Sequence, residues 1–500
     1  MTDPRPFTGR QRAGLILPQL PADHPDHHDL IAFRELILHE LPELEAEVGC
    51  PVVPADIASL TPDEPAILVG PASWNMALIR WRSTRSRPVP EGPYVAIDRQ
   101  HERVVIDGPH LAEIGNAFQI LRTAIAEGAD VATPSTCVTA AEVIDRLDAE
   151  VRRTFPLLTE RAPTWAAAVE RARANMDSPD DLATLQRLMA ALDDAHSWAK
   201  DPRINGRLPY HLHDDGQTVR FWSVPEVSAA WDHGVRPGDV CLAPDTTPWR
   251  ERTGSVARTK PWNIGYRALQ GRVGEVVELA ARRGDGSEVR WQEVVPPLPW
   301  ERPISTGRLD AHTGYIRILG WLNSREWHDQ LTSALDEMTP FARLVVDLRG
   351  NVGGALVAAQ EARTRFLADR TLLGSIRYST ATGELDRPHD IVAEPAPSGP
   401  TWTKPVRFLT DPLCYSATED FLHGLQGLPH VQVVGQTTGG GSGRPRTILL
   451  REHIIATIST ALTYDRTGRC IEGNGIPADI PIEPDVTDPD LTLELALRDW

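Results

Sequence analysis

The chain has 500 residues and a formal net charge of −18, from 51 Lys and Arg against 69 Asp and Glu. Phosphate backbones and anionic lipids attract clustered positive charge, so this balance argues against nucleic acid and membrane surfaces as partners. The length predicts about three domains, and a hydrophobic fraction of 41% is typical of folded globular proteins rather than disordered ones.

The cysteines and the N-terminal sequence predict the compartment. The five cysteines lie far apart and form no C-x-x-C pair, which argues against a disulfide framework or a zinc site and favours a reducing compartment. The apolar run at residues 13–17 is cut by Pro18, so a secretory signal is not expected. No run approaches the ~20 apolar residues of a membrane span. We therefore predict a cytoplasmic protein.

Residues 1–140 predict a small N-terminal α/β accessory domain. The short runs AILVG, YVAID and RVVIDG, ended by Gly or Asp, are typical of strands. Residues 35–48 and 110–128 repeat apolar positions at helical spacing. The sequence assigns this domain no chemical role.

Residues 141–204 predict a helical segment. Its last helix begins at Ser178-Pro179, with the serine as N-cap and the proline at the first helical position. We expect this helix to end near Asp194, which would place His196 at an exposed C-terminal edge. A lone histidine at such a position is ordinarily a helix C-cap rather than a catalytic group.

Residues 205–297 predict short strands separated by Gly, Pro and Asp turns. The sequence G-V-R-P-G-D at 234–239 and the later L-Q-G-R-V-G at 269–274 together resemble a PDZ domain. The resemblance implies that an extended peptide adds a strand to an edge of this sheet. A generic β-rich insert is the alternative.

Residues 298–500 alternate apolar strands with helices, which predicts a buried and largely parallel sheet whose active site lies at the carboxyl ends of its strands. One strand leads into D-L-R-G-N-V-G-G at 347–354. Glycines at a strand-to-helix junction let backbone N–H groups approach an anion or a developing oxyanion. The motif lacks the G-K-[ST] ending of a nucleotide-binding P-loop.

Ser416 begins a predicted helix directly after another strand and turn, in the sequence S-A-T-E-D at 416–420. This is the placement of a nucleophile elbow, with the amide of Ala417 facing the same space. A helix N-cap is the alternative for this serine. Cys414 is a rival nucleophile that precedes the helix in an apolar turn.

The order of these motifs resembles the tail-specific and tricorn-core family of serine peptidases. D-L-R-G-N-V-G-G is followed by S-A-T-E-D and then by V-V-G-Q-T-T-G-G at 433–440. The resemblance covers about residues 145–485. It implies a crotonase-like α/β catalytic core, here at 298–500, interrupted by a PDZ-like insert.

The branch of this family depends on the catalytic base. Tail-specific members use a lysine about two dozen residues after the serine, but no lysine follows Lys404 in this chain. The sequence L-D-D-A-H-S at 192–197 resembles the D-x-H-[ST] of the tricorn-like branch, which implies His196 as general base and Ser197 as a second hydroxyl. Tricorn-core proteins carry that serine before the histidine. His423 and His430 are the weaker candidates.

The remaining site residues come from the same resemblance. E-G-N-G-I-P-A-D at 472–479 implies Glu472 as the acid that orients the histidine, with Asp479 as the alternative. For the oxyanion donors the resemblance implies the amides of Gly353, Gly354 and Ala417. For the substrate-binding loop it implies Thr438, Gly439 and Gly440.

We therefore predict a serine peptidase that acts on peptides or unfolded proteins through an acyl-enzyme, with no cofactor and no metal. Homo-oligomer formation stays open. Two alternatives remain: a peptide-binding pseudo-peptidase without turnover, and a hydrolase of a specialised ester, amide or biosynthetic precursor peptide.

Overall fold

The computed structural model describes residues 5–18, 44–45, 48–55, 64–70, 75–84, 94–107, 121–126, 129–133, 137–297, 303–322, 324–380, 383–451, 453–483, 491–498 and 500. The chain divides into two compact units, Met1–Thr136 with Thr447–Leu449, and Cys137–Arg446 with Leu450–Trp500. Most of the two helices predicted at 35–48 and 110–128 lies outside the described residues. No helix in the described part of the chain is long and apolar enough to cross a membrane.

The first unit contains a six-stranded sheet in the order β2-β1-β3-β5-β4-β6. Its central strands are apolar and buried on both faces, and β1, β2, β3 and β5 pair in parallel. Its strands and described helices are β1 (Ala13–Ile16), β2 (Val52–Pro54), β3 (Ala66–Val69), α1 (Met76–Thr84), β4 (Tyr94–Asp98), β5 (Arg103–Asp107), α2 (Leu121–Ala126) and β6 (Val131–Ala132).

The second unit begins with three helices, α3 (Ala140–Thr154), α4 (Leu158–Asn175) and α5 (Leu182–Ala190). The predicted start of α5 was wrong by several residues, because its N-cap is Asp181, whose carboxylate accepts the Thr184 N–H at 3.0 Å. The helix also ends before Asp194. His196 follows in a turn and is only 9% exposed, so it is not at an exposed helix edge.

A β-rich region follows. It contains a five-stranded antiparallel sheet in the order β14-β13-β11-β10-β9 and a two-stranded pair, β12-β8. Its elements, with the strand β7 that leads into it, are β7 (Trp198–Lys200), β8 (Gly206–Arg207), β9 (His211–Asp214), β10 (Val219–Ser223), α6 (Ala229–Asp232), β11 (Val240–Ala243), α7 (Lys260–Ala268), β12 (Gln270–Gly271), β13 (Val276–Arg282) and β14 (Glu288–Val294).

The C-terminal part is built on a six-stranded sheet in the order β15-β16-β17-β20-β21-β25, parallel from β16 onward. Two three-stranded sheets, β19-β18-β24 and β22-β23-β7, flank it. The elements are β15 (Ile304–Arg308), β16 (Thr313–Ile318), α8 (Arg325–Met338), β17 (Arg343–Asp347), α9 (Leu356–Thr364), β18 (Thr371–Tyr378), β19 (His389–Ala393), β20 (Val406–Thr410), α10 (Ala417–Leu422), β21 (Val431–Gly435), β22 (Arg446–Arg451), β23 (Ile454–Ile458), β24 (Ala461–Asp465), β25 (Ile480–Pro481) and α11 (Leu491–Leu495).

The parallel pairing of β17 with β20 positions the two motifs of interest. Asp347 at the end of β17 lies opposite Leu409 in β20, so the loops that follow both strands leave the same edge of the sheet. Aromatic side chains pack α10 against the sheet. The ring centroid of Phe421 in α10 lies 5.4 Å from that of Phe408 and 4.8 Å from that of Trp321. The mixed α/β, multidomain architecture predicted from the sequence is confirmed.

Candidate active site

Ser416 lies in a strained turn immediately before α10. Its φ of 58° and ψ of −121° place a non-glycine residue in the left-handed half of backbone space, where single residues are strained by about 1–3 kcal/mol. Among the described residues its side chain makes no capping hydrogen bond to the helix, although it occupies the N-cap position. The hydroxyl is therefore turned away from the helix, as in a nucleophile elbow.

His196 meets this serine from a segment 220 residues away in the sequence. Its Nε2 lies 2.9 Å from Ser416 Oγ. Asp194 Oδ1 accepts the backbone N–H of His196 at 2.7 Å and fixes the turn that presents the imidazole. The ring of Tyr415 packs against the imidazole, with 4.7 Å between ring centroids.

The surroundings of His196 favour its neutral form. Burial lowers the pKa of the imidazole, the charge of Asp194 raises it, and the charge of Arg267 lowers it again, with a net decrease from the ordinary value of 6.5. A neutral imidazole has a free lone pair at one ring nitrogen. At neutral pH the group beside Ser416 can therefore accept a proton.

Two carboxyl groups, Asp194 and Glu472, lie close to the imidazole of His196. Oxygen atoms of both and a ring nitrogen of His196 lie within 4.8 Å of one another, and no other described set of three His, Cys, Asp or Glu side chains is that close. Such a set is also the minimum that a divalent cation needs. Among the described residues His196 Nδ1 and Asp194 Oδ2 are buried without a hydrogen-bond partner.

The surroundings of Glu472 favour its protonated form. Burial raises its pKa well above 4.5, and the neighbouring charge of Asp194 raises it further. Its Oε2 accepts the Ser442 N–H at 2.6 Å, which only partly offsets this effect. Asp194 belongs to the D-x-H pattern, but sequence reasoning missed it as a second acid because the family pattern draws attention to the histidine.

Ser197, predicted as a second hydroxyl of the site, binds a backbone group of another segment. Ser197 is 1% exposed, and its Oγ accepts the backbone N–H of Ser459 at 3.0 Å. The Ser459 hydroxyl is also close to the imidazole: a Cβ added to Gly443 would overlap Ser459 Oγ and would lie 3.5 Å from His196 Nδ1. Sequence reasoning missed Ser459, which has no motif of its own.

The predicted oxyanion donors surround Ser416 unequally. A Cβ at Gly353 would lie 2.8 Å from Ser416 Cβ and 3.2 Å from the Ala417 nitrogen, so this glycine touches the elbow. However, the Gly353 N–H donates to Asn351 Oδ1 at 3.0 Å. The Ala417 amide belongs to the first turn of α10, where N–H groups lack helical partners. The Ala417 amide is therefore better placed than that of Gly353.

The chain is similar to known peptidases in sequence and in structure. Residues 312–482 match peptidase family S41. This protein is a serine-type peptidase. The structure of mature CPAF is 15% identical, with 71% of this chain and 95% of that chain covered and a TM-score of 0.51, which shows a shared fold.

Two further structures are similar at lower scores. The photosystem II D1 C-terminal processing protease is 18% identical, with 69% of this chain and 94% of that chain covered and a TM-score of 0.48. The tricorn protease is 14% identical, with 80% of this chain and 40% of that chain covered and a TM-score of 0.38.

In this peptidase the loop predicted to bind substrate is buried instead. Thr438 is fully buried and its hydroxyl donates to Glu419 Oε1, while the Gly440 N–H donates to the same oxygen at 2.8 Å. Gly439 leaves space for the ring of Tyr415. Sequence reasoning missed Glu419, which binds Thr438 and Gly440, while the Gly439 N–H donates to the Cys414 carbonyl at 2.8 Å.

Replacing Glu419 by glutamine should destabilise the peptidase. The Gly441 N–H donates to Glu419 Oε2 at 2.6 Å, and an amide nitrogen there cannot accept it, so we expect a loss of about 1–3 kcal/mol in the free energy of unfolding. Urea unfolding checks this.

Burial raises the pKa of Glu419 from 4.5 to about 7, so the stability that this group contributes is present below pH 4.5 and lost as pH rises through about 7. The difference in unfolding free energy between the native protein and Glu419→Gln should therefore decrease as pH rises through about 7. A difference that does not depend on pH would contradict the raised pKa of Glu419.

The other candidates from the sequence lie away from the reacting atoms. His423 Nε2 pairs with the Tyr464 carbonyl and His430 Nε2 with the Phe366 carbonyl, both at 3.0 Å. Asp479 accepts the Val433 N–H at 2.8 Å. Cys414 is fully buried, and burial raises the pKa of its thiol well above 9.0, which disfavours a nucleophilic thiolate.

Proposed function

We propose that this peptidase hydrolyses peptide bonds through an acyl-enzyme on Ser416, with His196 as general base and then general acid. The observation that carries the proposal is the 2.9 Å approach of His196 Nε2 to the hydroxyl of a serine held at positive φ. A positioned nucleophile and a neutral imidazole are what acyl transfer at neutral pH requires.

The steps follow from this arrangement. Ser416 Oγ attacks the substrate carbonyl carbon while its proton passes to His196 Nε2. The amide of Ala417, with that of Gly354, stabilises the negative charge on the carbonyl oxygen. His196 then returns the proton to the departing amine, and a water molecule repeats the sequence to release the acid and regenerate the serine.

The carboxyl pair orients and stabilises the imidazole. As His196 becomes positively charged, the negative charge of the carboxyl pair beside it offsets that charge. This pairing supports the Ser/His branch of the family. Lys404, the last lysine in the chain, supports it further, because its ammonium donates to the Thr339 and Phe341 carbonyls.

We further propose that residues 205–297 form a PDZ-like module that presents peptides to a crotonase-like core. β9 is the edge of the five-stranded sheet, with β10 as its strand neighbour and α7 packed along it in the described part of the chain. In a PDZ-like module an extended peptide adds a strand to a sheet edge of this kind, beside a helix. A Cβ at Gly350, in the loop after β17, would lie 3.2 Å from His211 in β9, so this edge runs toward the site.

A fluorophosphonate probe tests the nucleophile. We expect stoichiometric labelling of the native peptidase, with the modified peptide mapping to Ser416, and loss of labelling in heat-unfolded protein. His430→Gln is a matched histidine control that should label normally. Labelling that maps elsewhere, or that survives unfolding, would contradict the proposal.

A further inference from the structure

A cleft beside His196 carries an unusual concentration of positive charge. It has a volume of about 30 Å³ and is lined by Lys200, Arg252 and Arg267 together with Trp198 and Trp249. The chain contains only three lysines in all, and one of them is here. In a protein with a net charge of −18, this grouping is local and does not reflect the general surface.

One indole brings two of these cations together. Lys200 Nζ lies 4.9 Å and Arg267 Cζ 5.0 Å from the ring centroid of Trp198. Contact with an aromatic face holds each cation in place and leaves its donors free to meet an anion. Burial, and the charge of Arg267, lower the pKa of Lys200, so two like charges are held close together.

No carboxylate balances these charges within the described residues that line the cleft. The acid next in sequence to Lys200 is Asp201, and its carboxylate is already paired with Arg203 at 2.5 Å and Arg272 at 3.3 Å. Arg267 donates to the neutral Gln270 Oε1 at 3.4 Å. Half-buried cations without a counter-charge are unfavourable, and a bound anion offsets that penalty.

The cleft lies near His196 along the chain. Trp198 and Lys200 are on β7, two and four residues after His196, which are spans of about 7 Å and about 13 Å for an extended chain. The charge of Arg267 is close enough to lower the pKa of His196. A volume of 30 Å³ admits about two water-sized atoms, which matches the two oxygens of a carboxylate.

We propose that this cleft is a carboxylate-binding subsite that selects peptides with an acidic side chain within a few residues of the scissile bond. The proposal rests on the proposed role of Ser416 as nucleophile. Lys200 and Arg267 bind the carboxylate oxygens directly, and Trp198 holds both cations in position.

Fluorogenic peptides that differ in one group test this subsite. The series carries Gln or Glu at each position near the scissile bond, with either a C-terminal amide or a free carboxylate. We expect kcat/KM to favour Glu over Gln by about tenfold or more in both the amide and the free-carboxylate series, mostly through KM. Equal kcat/KM for Glu and Gln overturns the proposal, even if the free carboxylate is preferred over the amide.

Lys200→Gln should reduce the acidic-to-neutral ratio of kcat/KM by about tenfold, and Lys200→Glu should invert the preference toward a lysine-bearing peptide. Lys404→Gln is the matched control, because Lys404 also stacks on an indole, 4.9 Å from the ring centroid of Trp402. Its ratio should equal that of the unmodified peptidase. An equal change in the Lys200 and Lys404 variants would show a non-specific charge effect and overturn the subsite.

Peptide binding to the Ser416→Ala protein separates this inference from the proposed function. Fluorescence anisotropy should show tighter binding of the acidic peptide than of its neutral partner, and Lys200→Gln should remove the difference. If the native protein hydrolyses no peptide but this difference persists, the catalytic proposal fails and the subsite stands. Equal binding of both peptides refutes the subsite, whatever the hydrolysis result.

Discussion

Replacing Ser416 by alanine should lower kcat for peptide hydrolysis by about 10⁴- to 10⁶-fold, as expected when the nucleophile of an acyl-transfer site is removed. No described neighbour can substitute for it, because Cys414 is fully buried with a raised thiol pKa. Stopped assays on a fluorogenic peptide, with fluorophosphonate labelling alongside, measure both activity and nucleophile. The variant should fold normally, since its hydroxyl caps no helix in the described structure.

Ser416→Gly is the matched control for the backbone. Glycine adopts a φ of 58° without the Cβ penalty, so this variant should be more stable than Ser416→Ala by about 1 kcal/mol while being equally inactive. Urea unfolding of both variants measures the difference. Retention of more than a few per cent of activity in either variant would mean that another residue is the nucleophile.

The pairing of Ser416 with His196 was accessible from the sequence only as a combination of motifs. Each residue alone has an ordinary interpretation, as a helix N-cap or C-cap, and 220 residues separate the two. Because no lysine follows Lys404, the sequence lacks the lysine base of the tail-specific branch, and a histidine is the predicted base. The order of the motifs along the chain is informative because β17 and β20 are parallel neighbours. The motifs that follow these two strands therefore meet at the same edge of the sheet.

The supporting groups could not be predicted in the same way. Ser459 stands in no recognisable local pattern and reaches the site through tertiary packing. Glu419 is the glutamate of S-A-T-E-D, but this motif does not report that its carboxyl group binds the loop at 438–441. Thr438 fits a substrate-binding loop by its motif, but the buried carboxylate of Glu419 binds its hydroxyl instead. Burial of a polar side chain depends on contacts distant in sequence, which periodicity does not report.

Replacing His196 by alanine should lower kcat nearly as much as replacing Ser416, by about 10⁴-fold or more. The two side chains act as one unit at 2.9 Å, so the double variant should be no worse than the poorer single variant. His430→Gln should retain normal activity, because that ring binds the Phe366 carbonyl. Additive losses in the double variant would show that the two residues act independently.

The pH profile tests the same residue without removing it. Only neutral His196 accepts the proton, so kcat/KM should fall as pH drops through its pKa, which burial and Arg267 lower from 6.5. The acid limb of the native peptidase should therefore lie below pH 6.5. With a neutral peptide, Asp194→Asn removes a charge that raises this pKa and should move the limb to lower pH, whereas Arg267→Gln should move it higher. Shifts in the opposite directions would rule out His196 as the base, because no other described histidine has these two charges beside it and Ser416 within hydrogen-bond reach.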